Sequence, residues 1–123
     1  MASDSRLKAL IIDNSPEAAA HTRDILSAVK IDVLEWIRNG TAWVEAFKKT
    51  RFDLVVVDYV LPKRDGLFVT EKIIEMDPPC AVIFTHSFEG WPANIIELKA
   101  YGAGAGACFQ RPVSDIVTVC APR

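Results

Sequence analysis

Two aspartates, a threonine and an arginine stand at the ends of short apolar segments, and these residue types could together handle a phosphoryl group. Asp13 and Asp58 each end one apolar segment, Thr85 ends another, and Arg111 follows a further one. A carboxylate can attack phosphorus, while a hydroxyl and a guanidinium can bind the charged phosphoryl oxygens. Two nearby carboxylates repel each other, and a hard divalent cation such as Mg²⁺ relieves the repulsion. The four residues predict a phosphoryl site if the fold brings them together.

The segments that carry these residues have the pattern of strands in a parallel sheet. Three are short, apolar and rich in β-branched residues, which is typical of strands covered by helices on both faces. A further segment includes Asp32 and Glu35 and is therefore predicted to lie at an edge of the sheet. The predicted strands are residues 7–13, 31–37, 52–58, 81–85 and 107–110.

Helices are predicted in the gaps between the strands. Ser15 as N-cap and Pro16 at the first position open the first helix, and Thr41 is predicted to cap the second. The helices are predicted over residues 16–30, 42–49, 66–76 and from 92 to the glycines that start at 102. Their sheet-facing side chains are predicted to be Ala18, Thr22, Ile25, Leu26 and Val29, then Val44 and Phe47, then Val69, Ile73 and Met76, and finally Ile95, Ile96 and Leu98.

The alternation of strands and helices predicts an α/β fold with an open, doubly wound sheet of five parallel strands. In such sheets, ligands bind at the carboxyl ends of the strands, where the strand order reverses. An order of 2-1-3-4-5 makes the first and third strands neighbours, and this places Asp13 beside Asp58. The sequence therefore predicts one site at this edge of the sheet.

Length and charge limit the classes to which the protein can belong. Its 123 residues fit a single domain, predicted over residues 1–123. Fourteen Lys and Arg against 16 Asp and Glu give a net charge of -2, which disfavours direct binding of nucleic acid. Without an apolar run of about 20 residues or a signal-peptide core, we expect a cytoplasmic protein that contacts no membrane.

Trp36, Trp43 and Trp91 are interpreted as packing residues.

Residues 58–66 carry a family pattern. They read DYVLPKRDG, which resembles the D-x-x-x-P-x-x-D-G pattern around the phosphorylation site of response-regulator receiver domains, including those of the chemotaxis-regulator kind. The resemblance extends from Leu7 to about Val113. It implies the strand order 2-1-3-4-5, which flavodoxins share, and phosphoryl transfer to Asp58. It also implies a Mg²⁺ site formed by Asp13, Asn14, Asp58 and the backbone carbonyl of Val60.

Four positions near the site depart from the residues usual in that family. Asn14 replaces an acidic metal ligand, so the cation site has one negative charge fewer. Thr85 matches the switch residue that contacts the phosphoryl group, but Arg111 replaces a lysine, and its planar guanidinium is not an equivalent group. His86, which we expect at the surface, replaces a small residue, and Cys108 replaces an aromatic switch residue. The resemblance therefore implies an atypical receiver.

The function implied by the resemblance is that of a phosphoacceptor in two-component signalling. A sensor histidine kinase or a phosphotransfer protein would supply the phosphoryl group, and a downstream protein would read the change in a protein-binding surface. We expect no enzymatic activity beyond the receiver's own phosphoryl transfer and hydrolysis. The alternative is a pseudo-receiver, an interaction module that keeps the fold and acts without phosphorylation.

The carboxyl-terminal segment predicts a departure from the usual receiver fold. Residues 113–123 are few, rich in β-branched residues and contain Pro122, so the fifth helix is predicted to be shortened or absent. The spacing from Thr85 to Arg111 is about one helical turn longer than in the receivers that the chain resembles. We expect an exposed apolar patch around the fourth helix, the fifth strand and the tail, which would bind a second copy as a homodimer or another chain.

Overall fold

The computed structural model describes residues 6–111, in which five parallel strands form an open sheet. The strands are β1 (Lys8–Ile12), β2 (Asp32–Ile37), β3 (Leu54–Asp58), β4 (Ala81–His86) and β5 (Ala107–Gln110). Their order in the sheet is β2-β1-β3-β4-β5, which confirms the predicted order. Because β1 and β3 are neighbours, the residues that follow their carboxyl ends share one edge of the sheet.

Helices cover both faces of the sheet and bury a core on each. The described helices are α1 (Pro16–Ala28), α2 (Trp43–Lys49), α3 (Gly66–Met76) and α4 (Trp91–Ala103). On one face, Leu26 of α1 belongs to a core with Val56 and Ile83 of the central strands. On the other face, α2, α3 and α4 contribute to the larger core. The predicted doubly wound α/β class is confirmed.

The strand patterns follow from the position of each strand. All five residues of β3 are buried, because this central strand has helices on both faces. None of the six residues of β2 is fully buried, because β2 lies at the edge. The predicted edge position of β2 is confirmed.

Local capping explains where the first two helices begin. The Ser15 hydroxyl accepts a hydrogen bond from the Ala18 N–H at 3.2 Å, as predicted for an N-cap. The prediction that Thr41 caps α2 is wrong. The Asn39 side-chain oxygen instead accepts from the N–H groups of Thr41 and Ala42, both at 2.9 Å, because its short polar side chain reaches back to the following turn. The first helix ends at Ala28, two residues before the predicted Lys30.

The sheet-facing sides of three helices differ from the prediction. In α2, Trp43 and Ala46 are buried while the predicted pair is only half-buried. Met76 at the end of α3 is exposed. In α4, the predicted Ile96 is buried together with Ala93 and Ala100, whereas the predicted Ile95 and Leu98 are exposed. Apolar side chains occur all around α4, so the sequence pattern does not distinguish its buried side from its outer side.

The pairing of β1 with β2 contains a bulge. Ala9 pairs with Val33, but the next residue of β1 pairs with Glu35, so Leu34 is left without a partner. Side chains along a strand alternate between the two faces, and one extra residue moves every later side chain to the opposite face. Trp36 therefore faces the α1 side of the sheet, where strict alternation from Val33 would direct it to the other side.

A glycine fixes the turn that follows β3. A Cβ on Gly66 would lie 2.2 Å from the backbone oxygen of Asp58, so a larger residue does not fit there without displacement of the backbone. The Gly66 N–H donates to the Tyr59 carbonyl at 2.8 Å, and the Asp65 carboxylate caps α3 by accepting from the Phe68 N–H at 2.9 Å. These contacts hold the 59–66 turn against the end of β3.

The predictions for residues 113–123, including the shortened fifth helix, lie outside the described residues. Within residues 6–111, no helix has both the length and the apolar character needed to cross a membrane.

Candidate functional site

The Arg111 guanidinium joins two buried carboxylates at the carboxyl edge of the sheet. Its Nη1 donates to Asp13 Oδ2 at 3.1 Å, and its Nη2 lies 3.2 Å from Asp58 Oδ1. Both aspartates are almost fully buried, whereas Arg111 is partly exposed. The Arg111 N–H donates to the His86 carbonyl at 2.7 Å, which anchors the arginine just after β5. The predicted proximity of Asp13 and Asp58 is thus present, with a cation between them.

Thr85 contacts the same oxygen of Asp58 from the neighbouring strand. Asp58 and Thr85 are paired residues of β3 and β4, and the Thr85 hydroxyl donates to Asp58 Oδ1 at 3.1 Å. Thr85 is buried, so this hydroxyl is held in place by the sheet. The structure therefore brings Asp13, Asp58, Thr85 and Arg111 into one group.

Burial raises the pKa of both carboxyl groups above the ordinary value of 3.8. For Asp58 the pKa rises to about 6, chiefly because of burial; Arg111 lowers it and the negative charge of Asp13 raises it further. For Asp13, burial also raises the pKa, while the hydrogen bond from the Ser15 N–H and the charge of Arg111 lower it. One guanidinium therefore compensates the two buried carboxylates only in part.

The oxygen donors at this edge suit a hard cation such as Mg²⁺. Asp13 and Asp58 offer carboxylate oxygens, and incomplete compensation by Arg111 leaves room for further positive charge. Asn14 follows Asp13 as an exposed residue, and Val60, also exposed, lies close enough for its backbone N–H to lower the pKa of Asp58. Within residues 6–111 no three His, Cys, Asp or Glu side chains cluster for metal binding.

His86 is buried, so the expectation that it lies at the surface is wrong. As the last residue of β4, it points to the α4 side, where its ring stacks on Phe88 at 6.2 Å between centroids. Its Nδ1 accepts from the Phe88 N–H at 3.1 Å, and within the described chain its buried Nε2 has no partner. Burial lowers the pKa of His86, although the charge of Glu97 opposes this. Cys108 is half-buried and pairs with Phe84 on the same face.

One residue that contacts the site is not apparent from the sequence. Trp36, interpreted as a packing residue, donates its indole N–H to the Asp13 carbonyl at 2.7 Å. The bulge at Leu34 places it there, and nothing in the alternation of residues 32–37 signals that bulge. Trp43 is buried as expected, whereas Trp91 is 75% exposed.

Known proteins resemble this chain over most of its length. Residues 9–116 match the family model described as the response regulator receiver domain. The chemotaxis protein CheY of Halobacterium salinarum is 32% identical over 118 residues, which cover 89% of this chain and 95% of that protein. A protein-glutamate methylesterase/protein-glutamine glutaminase of Methanosarcina barkeri is 34% identical over 107 residues, which cover 86% of this chain. The chain spans about a third or less of the length of such methylesterase relatives.

Solved structures share the fold. A CheY-like response regulator receiver domain protein from Methanospirillum hungatei has a TM-score of 0.79 and 21% identity, covering 94% of this chain and 90% of that one. The beryllofluoride-activated DrrB receiver domain has a TM-score of 0.79 and 20% identity, covering 93% of each chain. At these identities the likeness concerns the fold alone.

The raised pKa of Asp58 predicts how stability depends on pH. With a pKa of about 6 against an ordinary value of 3.8, the folded protein binds more protons than the unfolded chain between these pH values. The free energy of unfolding should therefore fall as pH rises through this window, by about 3 kcal/mol from this group. Urea denaturation in EDTA across the window measures it. Asp58→Asn should flatten the profile, whereas Asp24→Asn, exposed on α1, should leave it unchanged; an equally steep profile in Asp58→Asn contradicts the prediction.

Proposed function

This chain belongs to the response regulator receiver family, and from that premise we propose that Asp58 accepts a phosphoryl group in two-component signalling. The observation that carries the proposal is the pair of contacts to one carboxylate oxygen of Asp58. The Thr85 hydroxyl lies 3.1 Å from this oxygen and the Arg111 guanidinium 3.2 Å. A hydroxyl donor and a fixed cation beside a buried carboxylate are the groups that a bound phosphoryl oxygen needs.

The proposed reaction is a displacement at phosphorus. An oxygen of the Asp58 carboxylate forms a bond to phosphorus, and the bond from phosphorus to the donor's leaving group breaks. The leaving group, an imidazole nitrogen of a phosphohistidine or the oxygen of an acyl phosphate, keeps the electron pair. Arg111 and Thr85 bind the oxygens of the transferred group, so position and charge supply most of the acceleration. Hydrolysis of the aspartyl phosphate restores the carboxylate.

We also propose that this site holds Mg²⁺. Asp13, Asn14, Asp58 and the backbone carbonyl of Val60 would hold the cation, because all four offer hard oxygen donors. When bound, Mg²⁺ would neutralise negative charge on the carboxylates and on the phosphoryl oxygens. Asn14 contributes an oxygen without a charge, so this chain's affinity for the cation is expected to be lower than that of a site with three carboxylates.

The proposed partners are a sensor histidine kinase or a phosphotransfer protein, which would donate the phosphoryl group, and a downstream protein that reads the phosphorylated state. Both would act on the chain in the cytoplasm. The methylesterase relatives carry a matching segment within a protein about three times as long or longer. The downstream protein is thus a separate chain or a further part of the same one.

Phosphorylation of Asp58 is the direct test of the proposal. Incubation with acetyl phosphate and Mg²⁺ should add one phosphoryl group, detected by intact-mass analysis, because the buried carboxylate is the nucleophile. Asp58→Asn should lose the added mass, and Asp53→Asn, at the opposite end of β3, should retain it. Failure with several phosphodonors at saturating Mg²⁺ would instead support the pseudo-receiver.

The charge missing at Asn14 predicts the effect of restoring it. Asn14→Asp should tighten Mg²⁺ binding by about tenfold, because a third carboxylate is added beside a hard cation. Calorimetric titration of both proteins with MgCl₂ measures the change. Asn94→Asp adds the same charge on the exposed side of α4 and should leave the affinity unchanged, since salt screens distant charges. Equal affinities for Asn14→Asp and the unaltered chain would place Asn14 outside the cation site.

The outer side of α4 is an apolar surface that we propose binds a second copy of the chain. Trp91, Ile95 and Leu98 follow each other at helical spacing and are 75%, 40% and 70% exposed, with Tyr101 half exposed beside them. Two aromatic and two aliphatic side chains offer about 500 Å², so two such surfaces together reach about the 1,000 Å² expected of a weak specific interface. The patch is thus sufficient for a homodimer formed by paired α4 helices.

Substitution on this surface tests the homodimer. Light scattering over a dilution series should show the mass of the unaltered chain rising toward that of a dimer with concentration. Leu98→Glu should remain monomeric, because it places a charge in the centre of the apolar surface. Ala20→Glu, on the exposed side of α1, should dimerise normally. A monomer at all concentrations, with and without beryllofluoride, excludes the homodimer.

A further inference from the structure

We infer that Trp36 is a positioning residue that holds the β1–α1 loop in the conformation needed for cation binding. The inference rests on the proposed function of the site, because it concerns the loop that carries two of the proposed Mg²⁺ ligands. The hydrogen bonds to the Asp13 carboxylate come from Ser15 and Arg111, and Trp36 makes none of them. It acts through the backbone, by an indole N–H donated to the Asp13 carbonyl at 2.7 Å.

The edge strand holds the Asp13 residue from two directions. The Asp13 N–H donates to the Ile37 carbonyl at 2.9 Å, while its carbonyl accepts from Trp36. The Asp13 carbonyl and the Asn14 N–H belong to one planar peptide group. The indole bond therefore fixes the orientation of the peptide between the two side chains proposed to hold the cation.

The bulge in β2 is what allows the indole to reach this carbonyl. Val33 pairs with Ala9 and packs into the α1-side core, whereas Ile37 packs into the core on the opposite face. Residues four positions apart on a regular strand share a face, so only the extra Leu34 explains the change. If Leu34 instead paired with Leu10 in a regular ladder, Trp36 would pair with Ile12 and face α2.

A second contact keeps the Trp36 ring in place. The guanidinium carbon of Arg38 lies 5.1 Å from the centroid of the indole ring, a cation–π contact on its outer face. The half-buried ring thus lies between the sheet edge and a cation. The arrangement matches that of other metal sites, in which groups behind the ligands fix their orientation.

The consequence for the ligand is that the Asp13 carboxylate starts from a fixed backbone. Its Oδ1 accepts from the Ser15 N–H at 2.9 Å, and its Oδ2 accepts from Arg111. If the peptide after Asp13 turns, the Ser15 N–H and the Asn14 side chain turn with it. Loss of the indole bond should therefore weaken cation binding even though every proposed ligand remains.

The experiment is a calorimetric titration with MgCl₂ of the full chain and of two single variants. Trp36→Phe keeps an aromatic ring under Arg38 and removes the N–H donor. Its Mg²⁺ affinity should fall about tenfold, as for removal of other groups that orient metal ligands. The matched control is Trp43→Phe, because the Trp43 indole donates to the Gly40 carbonyl at 3.0 Å in the same way but away from the site. Trp43→Phe should lower the free energy of unfolding while leaving the Mg²⁺ affinity unchanged.

A second pair of variants tests the bulge without altering the tryptophan. Deletion of Leu34 should restore regular pairing and leave Trp36 opposite Ile11 on the α1 side, because Glu35 already pairs with Leu10. The indole bond then remains, so Mg²⁺ binding should equal that of the unaltered chain; weaker binding would show that the bulge itself, and not the indole bond, sets the affinity. Leu34→Ala keeps the extra residue, whose side chain is 50% exposed, and should bind Mg²⁺ as the unaltered chain does. Far-ultraviolet circular dichroism shows whether the deletion variant folds. If the deletion variant does not fold, the titration of Trp36→Phe alone tests the inference.

Three outcomes separate this inference from the proposed function. Weaker Mg²⁺ binding in Trp36→Phe, together with unchanged binding in Trp43→Phe, supports the inference. Equal affinity in Trp36→Phe and the unaltered chain overturns it and leaves the proposed cation site intact. No Mg²⁺ binding by the unaltered chain overturns the proposed cation site, and the role of Trp36 in cation binding with it.

Discussion

Two carboxylates that share one guanidinium dominate the physical chemistry of this protein. Asp13 and Asp58 lie on neighbouring strands, are buried, and repel each other, so the sheet edge tolerates them only with positive charge between them. Arg111, which directly follows the carboxyl end of β5, supplies that charge. Residues nearly a hundred positions apart are thus linked, and the strand order that makes β1 and β3 neighbours is a requirement for this link.

The arginine has a second effect because of its geometry. Its two terminal nitrogens contact different carboxylates, and the planar guanidinium fixes the directions of both contacts. The ammonium group of a lysine would fix these directions less strictly. A phosphoryl group on Asp58 would add charge on the side that Arg111 already faces. Arg111 would then exchange a carboxylate for phosphoryl oxygens while it keeps its contact with Asp13, so the two aspartates need not move apart.

The sequence predicts those features that depend on local pattern, and it fails where tertiary packing decides. The apolar runs identify the strands because a parallel sheet buries both faces, and the aspartate pattern over residues 58–66 locates the candidate site. The bulge at Leu34 leaves no trace in the alternation of β2, so the role of Trp36 is invisible before the structure. The buried side of α4 is likewise hidden, because Ile96 and two alanines are buried while apolar side chains as large as Ile95 and Leu98 are exposed.

The close approach of Gly66 to the Asp58 backbone makes the site more tightly packed on the α3 side than on the α4 side. On the α3 side, the turn after β3 touches the end of the strand with no space for even a methyl group, so it cannot yield without moving the strand. On the α4 side, the Tyr59 N–H donates to the Thr85 carbonyl at 2.9 Å, but the contacts toward α4 run through rings: the Tyr59 ring lies 5.7 Å from Phe88, which in turn stacks on His86. Ring contacts slide more easily than backbone contacts compress. A displacement at Asp58 would therefore be taken up more readily on the side of the ring contacts than by the turn that leads into α3.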